Sequence, residues 1–99
     1  MKIDAPDTIV LVSSSDGTTH SEAYDPKKLF ASVEAAALSV GLATGLAADT
    51  ARNTTDAVSL WLSNKPEVMS GDIRRIATQS LTIVSPEAAY LYKHHHQIL

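Results

Sequence analysis

The sequence predicts an α+β fold in which an N-terminal β-hairpin packs on a bundle of four short α-helices. Three observations lead to this prediction. An apolar, β-branched run ends in a serine-rich stretch with Asp16-Gly17, the dipeptide that two-residue type I′ turns prefer. Amphipathic helical spacing begins after Asp25-Pro26 and recurs along the rest of the chain. Ser85-Pro86-Glu87 repeats the pattern of a helix start, so a short helical pair is expected near the end.

The hairpin is expected to open a single domain spanning 8–99, after a flexible lead over 1–7. Its first strand, Thr8 to Ser14, is apolar on both faces, which predicts burial on both sides or an edge shared with a partner. Thr19 to Tyr24 is predicted as the return strand that the Asp16-Gly17 turn requires. A two-stranded hairpin is marginal in water, so it is expected to pack on the helices.

Four helices are predicted from apolar spacing and capping residues. The first starts at Pro26, behind the N-cap Asp25, and ends near Gly41. The second is predicted from Leu46 to Leu62, and the third behind an N-cap at Ser70. The residues expected on the core faces of these three helices are Leu29, Phe30, Val33, Ala36, Ala37, Val40, Ala47, Ala51, Val58, Trp61, Leu62, Ile73, Ile76, Ala77, Ser80, Leu81 and Val84. Ala88, Ala89 and Tyr92 continue the core in a fourth helix.

Composition excludes several classes of function. The 99 residues include no cysteine, which excludes disulfides, iron–sulfur clusters and thiolate zinc sites. Eight basic and eleven acidic residues give a formal charge of −3 with no basic stripe, so direct nucleic-acid binding is not expected. The apolar stretches are too short for a membrane span and the first residues do not form a signal peptide, which predicts a cytoplasmic protein.

Catalysis and metal binding are also not expected. No nucleophile and base can be assembled, because histidine occurs only in the hairpin and in the tail, and acidic residues stand mostly at helix starts. The run of histidines at 94–96 is not predicted to hold a metal, since consecutive helical residues diverge by about 100°. His20 is expected to be a surface residue of the return strand. The chain is therefore predicted not to be an enzyme.

An ordered series of motifs resembles the ATP-cone domain, the nucleotide-sensing module of ribonucleotide reductases and of the repressor of their genes. The series consists of the apolar strand with Asp16-Gly17, then Tyr24-Asp25, Lys28-Leu29, Ser32-Val33, Ala36, Val68, Ser70, Asp72-Ile73, Leu81, Ala88-Ala89 and Tyr92. It covers about residues 8 to 96. The resemblance implies a hairpin lid over a helical bundle that binds ATP or dATP, with Mg²⁺, between hairpin and helices. Nucleotide binding would then control oligomerisation, or the activity of a larger enzyme subunit.

The resemblance also implies a set of nucleotide-binding positions. The family's Lys-Arg pair for the phosphates corresponds here to Ser14 and Ser15, which is the main departure from the family pattern. The full implied set is Val12, Ser14, Ser15, Lys28, Ser70, Ile73, Arg74 and Lys93. Charge-assisted hydrogen bonds contribute about 1.5–3 kcal/mol each, so the loss of two cations lowers the expected affinity for a triphosphate.

Two alternatives remain open. The chain is either a nucleotide sensor or a cone that has lost its ligand and acts as a protein–protein interaction or dimerisation module. A transcriptional regulator like the reductase repressor is less favoured, because zinc-binding cysteines are missing and the charge balance is acidic.

Overall fold

The computed structural model describes residues 8–13 and 17–94, which form a small sheet and four helices. The α+β class predicted from the sequence is confirmed at this level. The elements in chain order are β1 (Ile9–Ser13), β2 (Thr19–Ala23), α1 (Pro26–Ser39), α2 (Thr44–Leu62), β3 (Glu67–Met69), α3 (Ser70–Val84) and α4 (Pro86–His94). The predicted lead, 1–7, lies outside the described residues.

The sheet has three strands in the order β2-β1-β3, so β1 is central. It runs antiparallel to β2, with Val10 opposite Glu22, and parallel to β3, with Val10 opposite Val68. The third strand was not predicted. The expectation that β1 is buried on both sides or forms an edge is wrong, because the helices cover one face of the sheet: Val10 is buried, whereas Ile9 is 42% exposed.

The hairpin connection is described only at its second half. Gly17 has the positive φ, +87°, that its place in a turn requires, and Asp16 lies outside the described residues. An unbroken ladder extending from a two-residue turn at 16–17 would pair Ser13 with His20. Ser13 instead faces Thr19, so five residues connect the last described pair, and the turn predicted at Asp16-Gly17 lies partly outside the described residues.

The first helix has the predicted ends. The Asp25 side chain accepts a hydrogen bond from the backbone N–H two residues later, at 3.0 Å, and Pro26 occupies the first turn. At the other end the N–H of Leu42 donates to the carbonyl of Ala37, and that of Gly41 donates to Leu38. With φ +91° at Gly41, this is a Schellman motif, which fixes the direction of the chain into α2.

Two later helix starts differ from the predictions. The second helix begins at Thr44, two residues before the predicted Leu46. The N-cap of α3 is Met69 rather than Ser70, because the carboxylate of Asp72 accepts from the Met69 N–H at 3.2 Å and caps the helix from within. The predicted cap at Ser85 is confirmed, since its hydroxyl accepts from the backbone N–H of Ala88 at 3.1 Å.

Each helix packs against two others, α1 against α2 and α4, and α3 against α2 and α4. The predicted core faces are largely confirmed, with these exceptions: Phe30, Val40, Trp61, Ile73 and Ile76 are partly buried at the margin of the core, Ser80 is half-buried, and Val84 is exposed. Three threonines of α2, at 50, 54 and 55, are buried instead. None of the described helices is long and apolar enough to cross a membrane.

Candidate functional site

A cavity of about 180 Å³ lies where the hairpin meets the first turns of two helices. The strands form one wall, α1 contributes its first two turns, α3 contributes its first turn, and α4 adds one aromatic side chain. The lining residues are Val10, Val12, Glu22, Ala23, Tyr24, Asp25, Lys28, Leu29, Ser32, Ser70, Ile73, Arg74 and Tyr92. Helix N-termini carry partial positive charge and so favour an anionic ligand, an effect that the Asp25 carboxylate reduces at the start of α1 and the Asp72 carboxylate reduces at the start of α3.

Five residues of the set implied by the resemblance meet in this cavity. They are Val12, Lys28, Ser70, Ile73 and Arg74, and they come from three elements that are up to 62 positions apart in the chain. Ser14 and Ser15 lie outside the described residues.

Lys93 is not among the residues that line the cavity. It is exposed near the end of α4, while its neighbour Tyr92 is buried and lines the wall. Successive helical residues point about 100° apart, so the two side chains cannot share a face. The basic residue that the resemblance implies in the last helix is therefore not brought to the cavity at this position.

Arg74 is the most informative side chain of the cavity. Its Nε is shielded from solvent and has no hydrogen-bond partner among the described residues. A buried donor without a partner costs about 1–3 kcal/mol, a cost that an anionic acceptor in the cavity would remove. Arg74 therefore supplies a positive charge and an unused donor at the same place.

Three polar or charged side chains lie next to one another at the rim of the cavity. The Glu22 carboxylate lies 2.9 Å from His20 Nε2 and 4.0 Å from Lys28 Nζ. All three side chains are about half or more exposed, so these contacts contribute little to stability. Lys28 remains free to turn toward a ligand at the mouth of the cavity.

Two tyrosines contribute to the wall, and burial raises the pKa of both. For Tyr92 the nearby positive charge of Arg74 offsets part of that rise in pKa. For Tyr24 the pKa is partly lowered again by a hydrogen bond to the Ser59 hydroxyl, at 3.0 Å. Both phenols are therefore neutral at pH 7, and Tyr92 and Arg74 line the same cavity.

Several lining residues were not predicted to form part of a site. Tyr92 was predicted as a core residue. It both packs in the core and lines the cavity, because a tyrosine has an apolar body and a polar tip. Glu22 and Asp25 give no signal in the sequence, since one lies in a weak strand and the other is explained by capping. The position of Glu22 follows from the strand register, which sequence alone does not determine, and that of Asp25 follows from where α1 meets the hairpin.

A second cavity, of about 290 Å³, lies between α1 and α2 and has a different character. It is lined by Pro26, Lys27, Phe30, Arg52, Thr55 and Asp56. Arg52 is already paired with Asp49 at 2.7 Å, and Asp56 adds a negative charge to the wall. Its cations are therefore largely matched by local carboxylates, unlike Arg74 in the first cavity.

The histidines are dispersed. His20 is exposed on β2, as predicted. His94 ends α4, where its ring lies 4.3 Å from that of Tyr90, and residues 95 and 96 lie outside the described part of the chain. Within residues 8–13 and 17–94, no three histidine, aspartate or glutamate side chains converge on a point that would hold a metal ion.

Comparison of the chain with models of protein families, with curated proteins and with solved structures gives no match. The resemblance to the ATP cone therefore rests on the residues quoted above.

Proposed function

We propose that the first cavity binds an adenine nucleotide, ATP or dATP, and that the chain is a regulatory module without catalytic activity of its own. The observation that carries this proposal is the buried Nε of Arg74, which finds no hydrogen-bond partner in the described part of the chain, in a cavity with an apolar and aromatic wall. A nucleotide needs both features, because its base is flat and apolar on its faces while its phosphates are anionic.

The cavity offers a separate region for each part of such a ligand. Val10, Val12, Ile73 and Tyr92 supply apolar and aromatic surface for a base. The cations at Arg74 and Lys28 and the two helix N-termini favour phosphate. These groups take over part of the role that the family's Lys-Arg pair has at positions 14 and 15.

Carboxylates in the same wall oppose a bare triphosphate. Glu22 and Asp25 both line the cavity. Mg²⁺ carried by the nucleotide would reduce their repulsion of the phosphates, so we propose Mg·ATP or Mg·dATP as the ligand. Binding would stabilise the contact between hairpin and helices and thereby change how the module associates with a partner, either another copy or a larger enzyme subunit.

The test is isothermal titration of Mg·ATP and Mg·dATP into the wild-type chain and into Arg74→Gln. Loss of a charge-assisted hydrogen bond worth about 1.5–3 kcal/mol predicts a Kd raised by about 10- to 150-fold. Arg52→Gln is the matched control, because it removes the same charge from the second cavity, and its Kd should equal that of wild type. Absence of a binding isotherm for both nucleotides would overturn the proposal.

The interaction module without a ligand stays the second candidate, and a separate observation favours it. Large apolar side chains are exposed on three helices: Leu60 is 76% exposed on α2, Ile83 87% on α3, and Tyr90 65% on α4. A protein partner that covered these side chains would remove apolar surface from water, which favours association. A chain that associates but binds no nucleotide in the titration would support this second function.

A further inference from the structure

The outer edge of β2 pairs with no strand among the described residues. Its residues are complementary to those of a second β2 strand that runs antiparallel to it. The strand β2 is the outer strand of the sheet, and all five of its residues are exposed. Among residues 8–13 and 17–94, no strand pairs with its outer side. Proteins usually guard such an edge with lysine, proline or a bulge, and Thr19–Ala23 contains none of these.

The hydrogen-bond pattern of the hairpin determines which backbone groups face outward. The N–H of Tyr24 donates to the carbonyl of Thr8 at 3.0 Å, which makes these two residues a hydrogen-bonded pair. Hydrogen-bonded pairs alternate in an antiparallel ladder, so Glu22 and His20 also direct their N–H and C=O groups toward β1. The backbone groups of Thr19, Ser21 and Ala23 therefore point to the free side.

We propose that a second copy of this chain adds to this edge through antiparallel pairing of the two β2 strands, with Ser21 on the two-fold axis. In this register Ser21 faces Ser21, and Thr19 faces Ala23 in both directions. Every outward N–H and C=O of the strand then has a partner. The product is a continuous six-stranded sheet, β3-β1-β2-β2-β1-β3.

Charge complementarity selects this register over its neighbours. Centred on Ser21, it places His20 opposite Glu22 of the second copy twice, in the pairs whose side chains approach most closely. An axis at His20 would place the two imidazoles opposite each other, and an axis at Glu22 would place two carboxylates together. The His20–Glu22 contact of 2.9 Å within one strand already shows that the two side chains lie on one face.

The backbone pairing itself requires no nucleotide, and it lies beside the candidate cavity. Glu22 belongs to both the free strand and the cavity wall. Edge pairing alone buries less than the ~1,200 Å² typical of stable complexes, so a weak, concentration-dependent dimer is expected.

The first test is sedimentation velocity over about a hundredfold range of protein concentration. Ser21→Pro removes an N–H from the free edge and none from the β1–β2 ladder, so it should weaken association by at least about tenfold. His20→Glu places carboxylates opposite each other and should weaken it too, and the double exchange His20→Glu with Glu22→His should restore it. Association of wild type and of these variants with equal strength would overturn the proposal.

The second test uses the absence of cysteine from the sequence. Hydrogen-bonded antiparallel partners have Cα atoms about 5.5 Å apart, which is within the range of a disulfide. Ser21→Cys should therefore form a covalent dimer under mild oxidation, much faster than Ser39→Cys, an exposed position at the end of α1. Equal rates of cross-linking for the two variants, or a wild-type chain that stays monomeric throughout, would contradict the pairing.

Discussion

At the scale of single residues, the candidate site combines positively and negatively charged side chains in one cavity. Arg74 brings a buried donor without a partner among the described residues, and Tyr92 brings a neutral phenol whose pKa burial raises further. The carboxylates of Glu22 and Asp25 line the same cavity. A ligand for this cavity therefore needs an anionic part for Arg74 and either a cation or a neutral part near the carboxylates.

The raised pKa of Tyr24 predicts a loss of stability in alkaline solution. Its folded-state pKa lies above the ordinary value of 10.0, so the unfolded chain releases the phenol proton first. The contribution of Tyr24 is complete below pH 10 and is lost as the pH rises through the folded-state pKa. Urea unfolding of wild type at about pH 8 and about pH 11 should show this decrease.

Tyr24→Phe isolates this effect. The variant loses the hydrogen bond to Ser59, which predicts about 1 kcal/mol less stability at neutral pH, and a smaller further loss at high pH than in wild type. Tyr90→Phe, at an exposed position, is the control and should leave both measurements unchanged. A decrease at high pH that is the same in all three proteins would contradict the assignment to Tyr24.

At the scale of elements, the sequence predicted those helix ends that are set by residues within one turn of them. The start of α1 at Pro26 and its end near Gly41 are confirmed because the cap, the proline and the glycine act within one turn of the helix. The three-residue strand Glu67–Met69 was missed because a single buried valine does not make the alternating apolar pattern that predicts a strand. Its pairing partner also lies more than fifty residues earlier in the chain.

Gly41 tests the account of how α1 ends. A Cβ there would meet no atom within 4 Å, so Gly41→Ala changes the backbone preference alone. With φ at +91°, the substitution should cost about 1 kcal/mol of unfolding free energy. Gly45→Ala is the control in the first turn of α2, where added helix propensity should raise stability by up to about 1 kcal/mol. Changes of the same sign in both variants would contradict this account.

At the scale of the whole molecule, the fold gathers distant residues around the cavity. The sequence predicted the class and most of the core, because apolar periodicity reports which face of each helix is buried. Five implied site residues meet in the cavity. That Glu22 and Tyr92 also line it could not be predicted from the sequence, because strand register and helix packing place them there. The unpaired edge of β2 could be recognised only after β3 was known to occupy the other side of β1.

The most direct test of the central proposal is a map of ligand-induced chemical-shift changes in the backbone amides of the ¹⁵N-labelled chain, titrated with Mg·ATP. Binding in the first cavity predicts that the largest changes occur at Ser32, Ile73 and Tyr92, which come from three helices around it. Residues of the second cavity, such as Phe30 and Thr55, should change less. Shifts confined to the second cavity, or no shifts at saturating nucleotide, would contradict the proposal.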